Sequence, residues 1–210
     1  MSIRDAIVRH AHAFNTYAWP ALMALLDVHD PTRVEGTNTN LGDQLDTLGG
    51  VDWIAHPNGR RGVTLVTSRI QYDCEYGTIT LRMSEYKRGH SQWQARDMLP
   101  DWRAHAYVGH TDTCGRHLLS MYAVRERDLH AYLDRVPLAV SRYRVNGDDG
   151  NRFIYPAAAD LVTAGIQVRS VSYLNGCGLF SGYTLGGGAH ADDLPSLASL
   201  ARQHYQEEPR

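Results

Sequence analysis

An aspartate and an arginine on two neighbouring extended segments are the residues of this chain best suited to chemistry. Asp52 stands in Gly49-Gly50-Val51-Asp52-Trp53-Ile54-Ala55, and Arg69 and Gln71 stand in the apolar run from Val63 to Tyr72. A carboxylate is a ligand for a hard divalent cation, which activates water and neutralises charge on a phosphate ester. A guanidinium stabilises the charge that develops as a phosphate is attacked, and an amide can orient the attacking water. Asp52 is the expected main ligand, Asp46 or Asp43 a second, Arg69 the charge stabiliser and Gln71 the orienting group.

The elements that must position these groups follow from the pattern around them. Val51 to Ala55 and Val63 to Tyr72 flank Pro57-Asn58-Gly59, which reads as strand, turn and strand. Strand side chains alternate between faces, so Asp52 and Ile54 are expected on one face and Val51, Trp53 and Ala55 on the other. In the second strand Thr67, Arg69 and Gln71 share a face, with Val66, Ile70 and Tyr72 opposite. A structural alternative uses the same residues: Asp52 and Arg69 as an ion pair across neighbouring strands.

Around this unit, Ser2-Ile3-Arg4-Asp5 has the form of a capping box, and Ile3, Ile7, Phe14, Ala18, Leu22 and Leu25 recur near the helical period. Pro20 interrupts that helix, which either kinks there or restarts with Pro20 in its first turn. Thr32 to Thr37 and Thr78 to Met83 read as strands. Gln92 to Leu99 reads as a helix ended by Pro100, and Ala104 to Val108 and Leu118 to Val124 as further strands. Asp128 to Arg135 is a short helix. A hairpin follows, Ser141 to Val145 and Arg152 to Tyr155, then a helix over Ala157 to Ala164 capped by Gly165, and a strand over Ile166 to Leu174. Asn175 to Gly188 reads as loop, and Asp192-Asp193-Leu194-Pro195 opens a last helix. This order is α/β or α+β, with a soft boundary near Pro137.

A helix, a strand bearing Asp, a turn, a strand bearing paired polar residues and then a helix with basic residues before it is a layout that resembles the PD-(D/E)xK nuclease superfamily. The residues that carry the resemblance are Gly49-Gly50-Val51-Asp52 and Val63 to Gln71, with Gln92 to Leu99 as the next helix, over roughly the first 110 residues. The resemblance implies a mixed β-sheet flanked by helices. A restriction-endonuclease-like core would occupy residues 1–136, and residues 137–210 would form a C-terminal hairpin, strand and helix extension on the same domain. It also implies Mg²⁺ held by Asp46 and Asp52, and DNA as substrate; Lys87, Arg88 and Arg96, basic residues beside aromatics, are the candidate nucleic-acid contacts. One departure is plain: where the superfamily carries an acid and a lysine two residues apart, this strand offers Thr67 with Arg69, or Arg69 with Gln71. Arginine keeps its proton at neutral pH, so it is a poor general base. The layout therefore admits either a metal-dependent nuclease or an inactive nuclease-like module that binds nucleic acid or a protein partner.

Other candidates are weaker. His110-x3-Cys114-x2-His117 has zinc-ligand types at usable spacing, but a fourth ligand would have to be His105 or come from afar, so a loop with surface histidines is the preferred reading. Cys74 and Cys177 would each need a histidine partner in space to act as nucleophiles. Gly186-Gly187-Gly188 lacks the lysine and the spacing of a phosphate loop. Trp53, Tyr72, Tyr76, Trp93 and Trp102 have base-stacking chemistry, with core filling preferred. The net charge of −2 excludes a broad basic field, so any nucleic-acid surface must be local. Three widely spaced cysteines do not make a disulfide framework, and no apolar run approaches the length of a bilayer span. The expectation is a cytoplasmic protein without membrane contact.

Overall fold

The computed structural model describes residues 9, 11–34, 50–73, 76–84, 100–111, 115–135, 143–145, 152–174 and 179–180. Its first described element is helical. A π-helical turn, Phe14–Ala18, runs into helix α1, Trp19–Leu26, with Pro20 in the first turn, where a missing N–H costs nothing. The helix therefore restarts at Pro20 and ends at Asp27, which caps it in the left-handed conformation at φ 57.

The described residues form the strands β1 Val28–Arg33, β2 Trp53–Pro57, β3 Thr64–Tyr72, β4 Leu81–Ser84, β5 Trp102–Thr111, β6 Gly115–Arg125, β7 Tyr143–Val145, β8 Arg152–Ile154, β9 Val168–Leu174 and β10 Leu179–Phe180. Helix α2 spans Glu126–Arg135 and α3 spans Ala158–Thr163. Among the described residues, seven strands make one mixed sheet in the order β1-β2-β3-β5-β6-β9-β10, and β4-β8-β7 make a smaller antiparallel one. Among the described residues only the β3–β5 pair is parallel, so the fold is a mixed sheet with helices on its faces, an α+β arrangement.

Alternation in the central strands sets what lies on each face. Ala104, Ala106 and Val108 of β5, with Val66 and Ile70 of β3 and Met121 and Ala123 of β6, point to the helical side. The small alanines let Phe14, Trp19, Leu22 and Leu25 approach closely. Leu22 is fully buried there, a contribution of roughly 1.5–3 kcal/mol. On the other face, Val124 and Val168 meet Ile79, Leu81 and Ile154, together with Leu129 and Leu133 of α2 and Leu161 of α3. Segments beyond Pro137 are built into both sheets, since β9 bonds to β6 and β8 to β4.

Some boundaries differ from the sequence reading. The strand expected from Thr32 starts earlier, as Val28–Arg33 at the sheet edge, while residues 35–37 of the expected span lie outside the described residues. Pro31 is tolerated there because the register breaks between His29 and Thr32. The strand expected from Thr78 begins at Leu81 and joins the small sheet through β8. Gly165, at φ +81, ends α3 as the glycine pattern predicts, while Leu179–Phe180, expected as loop, pairs with β9. The helices expected over Gln92 to Leu99 and from Asp192 lie outside the described residues.

Candidate functional site

Asp52 sits one residue before β2, at the point where that strand leaves regular register. Trp53 is registered against Val66, yet the Asp52 N–H also bonds to the Val66 carbonyl, and the Asp52 carbonyl accepts from Val34 N–H. The half-buried carboxylate then takes the place that a continuing strand would occupy. Its Oδ2 accepts from the Ser68 N–H at 2.5 Å, from Ser68 Oγ at 3.1 Å and from Thr67 Oγ1 at 3.4 Å. Ser68 Oγ also accepts from Trp53 Nε1. Thr67 and Ser68 point to opposite faces of β3, so Oδ2 lies at the sheet edge between the faces.

Arg69 and Gln71 point away from the helical core, as alternation requires. The guanidinium of Arg69 lies over the Phe153 ring of β8, 5.0 Å from its centroid, which covers one side of the cation with an aromatic face. Asp52 and Arg69 are thus brought to the same short stretch of β3, the carboxylate at the Ser68 backbone and the cation on the adjoining residue. Asp46, Lys87, Arg88 and Arg96 lie outside the described residues, as do Asp43, Cys74, Cys114 and Cys177.

Sequence reasoning missed a polar layer on the Arg69 face. Strand register sets Arg69, His105, Tyr122 and Ser170 in one row across β3, β5, β6 and β9, and Gln71, Tyr107, Ser120 and Ser172 in the next. His105 is buried and accepts at Nδ1 from the Thr80 N–H, 3.1 Å away, which leaves the ring hydrogen on Nε2. That Nε2 is buried and has no partner among the described residues. The imidazole stacks on Tyr107 at 4.7 Å. Burial first, then the charges of Arg69 and Arg103, hold its pKa down to about 3, so it is neutral at physiological pH. The Tyr107 hydroxyl donates to the Thr78 carbonyl and receives the Thr78 N–H.

One row further, Arg103 and Glu126 form a buried bidentate pair, joined by His130 Nε2 at 3.2 Å from Oε1. Two signals in the sequence point to these groups: the alternation of Arg103, His105 and Tyr107 with small apolar residues, and the i,i+4 spacing of Glu126 and His130.

Of the zinc candidates, His110 and His117 are not brought together, and Cys114 lies outside the described residues. His110 pairs with Arg116 and His117 with Gly109, so alternation places the two histidines on opposite faces of the β5–β6 hairpin. Among the described residues, no group of three His, Cys, Asp or Glu is arranged to hold a metal. The oxygens around Asp52, its carboxylate and the Thr67 and Ser68 hydroxyls, are nonetheless the donor type that Mg²⁺ prefers. Mg²⁺ is commonly held by one or two carboxylates plus water and substrate phosphate. Trp53 and Trp102 fill the core, whereas Tyr76 is 60% exposed. No described helix is long and apolar enough to cross a membrane.

Comparison with protein-family models, with curated proteins and with solved structures finds no match to this chain.

Proposed function

We propose that this chain is a nuclease-like protein acting on the phosphodiester backbone of DNA, with Mg²⁺ held by Asp52 and Asp46. The observation that carries the reading is the meeting of the Asp52 carboxylate with the Thr67–Gln71 stretch of β3, which supplies hydroxyl oxygens, a guanidinium and an amide in sequence. The cation, when bound, activates a water and neutralises phosphate charge. Arg69 takes the charge that develops on the phosphate oxygens, and its guanidinium is kept from swinging freely by the Phe153 ring. Gln71, on the same face, orients water or ligand. The three widely spaced cysteines suit a reducing cytoplasm.

A second reading rests on the three donors that already occupy Asp52 Oδ2: a nuclease-like module that binds nucleic acid or a protein partner without turnover. Plasmid and linear duplex DNA incubated with the full chain, with MgCl₂ or with EDTA, separate the two. Mg²⁺-dependent cleavage that disappears in Asp52→Asn supports the nuclease. Cleavage that survives in Asp52→Asn removes it, and DNA binding that ignores both Mg²⁺ and the substitution favours the binding module.

A further inference from the structure

The rim of the large sheet where β3 and β5 begin and β6 ends carries a set of arginines that the Asp52 site does not use. Arg60 and Arg61 are exposed on the turn between β2 and β3. Arg125 closes β6, Arg127 is the second residue of α2 with its side chain 79% exposed, and Arg169 is the second residue of β9. Register joins them: Trp102 is paired with Arg125, and Val124 with Val168, so β3, β5, β6 and β9 present the same end of the sheet.

Two of these guanidiniums are held in place rather than free to swing. Arg125 and Arg169 lie over the ring of Trp102, at 4.8 and 4.9 Å from its centroid. Arg169 also donates to the Leu25 carbonyl at the end of α1. Their proximity is unfavourable by itself, since burial and then the Arg125 charge both lower the Arg169 pKa. Three acids stand among them: Asp101 accepts the Leu65 N–H, Asp27 accepts from Asn58 and its charge raises the Arg169 pKa, and Asp128 pairs with Arg127, so five arginines against these three aspartates leave the described rim net positive. A net positive rim on a chain of net charge −2 is the local basic surface that binding to a polyanion needs.

We propose that Arg60, Arg61, Arg125, Arg127 and Arg169 form a docking surface for the phosphate backbone of duplex DNA. The inference rests on nucleic acid as the substrate class and assigns how it is held. From β3 to β9 is three strand spacings, roughly 14 Å. That is close to the width of the DNA major groove, about 12 Å, so the ends of the rim match phosphates on either side of a groove. A rigid sheet fixes this spacing, which suits a stiff duplex better than a flexible acidic peptide.

Salt dependence of binding tests it, with a short duplex as the probe and the full-length chain throughout. Each lost phosphate contact lowers the slope of log K against log salt by about 0.9. The exposed pair Arg60→Gln and Arg61→Gln should therefore lower the slope by roughly 2, and Arg127→Gln by roughly 1. The control Arg135→Gln removes the same charge per residue at the far end of α2 and should leave the slope unchanged. Equal slopes for rim and control variants overturn the proposal. So does a wild-type chain that binds no duplex, or rim variants that lose binding only to anionic vesicles or poly-glutamate. Mg²⁺-dependent cleavage measured on the same variants keeps the two ideas apart. Unaltered slopes with intact cleavage remove the docking surface alone, whereas rim-dependent binding without cleavage removes the nuclease alone.

Discussion

Arg103 and Glu126 face each other as a bidentate pair, Nη2 to Oε1 at 2.6 Å and Nε to Oε2 at 2.8 Å, with both side chains buried. The pair locks the start of α2 to β5 beneath the polar layer that carries His105 and Arg69. Removing one partner leaves the other charge buried alone. Arg103→Ala is therefore expected to cost about 3–5 kcal/mol of folding free energy, whereas Arg103→Met with Glu126→Leu should recover most of it. Urea unfolding of the single and double variants checks this, and equal losses in both would contradict it.

The same pair gives the fold an acid limit. Burial raises the Glu126 pKa, but Arg103 and His130 outweigh it and hold the carboxyl down at about 2, below its ordinary 4.5. A carboxyl with a depressed folded pKa stabilises the fold above its unfolded pKa, and that contribution is lost as pH falls through the folded value. Roughly 3 kcal/mol should disappear between about pH 4.5 and pH 2. Chemical denaturation across this range reads the slope, and Glu126→Gln should flatten it.

His105 acts at milder pH. Its folded pKa of about 3 lies below the ordinary 6.5, so between these values the unfolded chain binds the extra proton. Stability should fall as pH drops from about 6.5 towards 3, and His105→Phe should remove that part of the slope. Histidine NMR at pH 5 gives a direct reading: the His105 ring stays neutral in the folded protein. A ring charged at pH 5 with the fold intact would overturn the assignment.

Local pattern made much of this fold legible. Alternation in Val63 to Tyr72 put Arg69 and Gln71 opposite Val66 and Ile70, the Gly165 cap was readable from a single residue, and Pro20 left a kink or a restart open, of which the structure has the restart. The polar layer was not, because it exists only once β3 pairs in parallel with β5, a contact between segments more than thirty residues apart in sequence. Position of the Asp52 carboxylate was also hidden. A regular strand would turn that side chain onto the Arg69 face, but its backbone departs from register at Val66 and the carboxylate turns to the Ser68 N–H instead.

That placement separates two roles of Asp52 that one substitution would confuse. Asp52→Ala deletes the acceptor for the Ser68 N–H and should cost about 1–3 kcal/mol in stability. Asp52→Asn retains an acceptor oxygen and should fold nearly as well as wild type, while both variants lose Mg²⁺-dependent cleavage. Thermal unfolding beside a cleavage assay distinguishes them. An Asp52→Asn protein that folds and still cuts DNA would leave the carboxylate with a structural part only.

Arg69 offers a comparable test through Phe153. The ring covers one side of the guanidinium at 5.0 Å, an interaction of about 0.5–1 kcal/mol in folding terms. Arg69→Lys keeps the charge but lacks the planar fork that contacts two phosphate oxygens at once, so cleavage should fall at least about tenfold, or roughly 1.4 kcal/mol of transition-state stabilisation. Phe153→Leu keeps Arg69 itself but removes the surface that orients it. The expected signature is a lower kcat with KM nearly unchanged, because a cation that is only mispositioned still attracts the substrate. If Phe153→Leu raises KM and spares kcat, the ring serves substrate binding and the orienting role assigned to it is wrong.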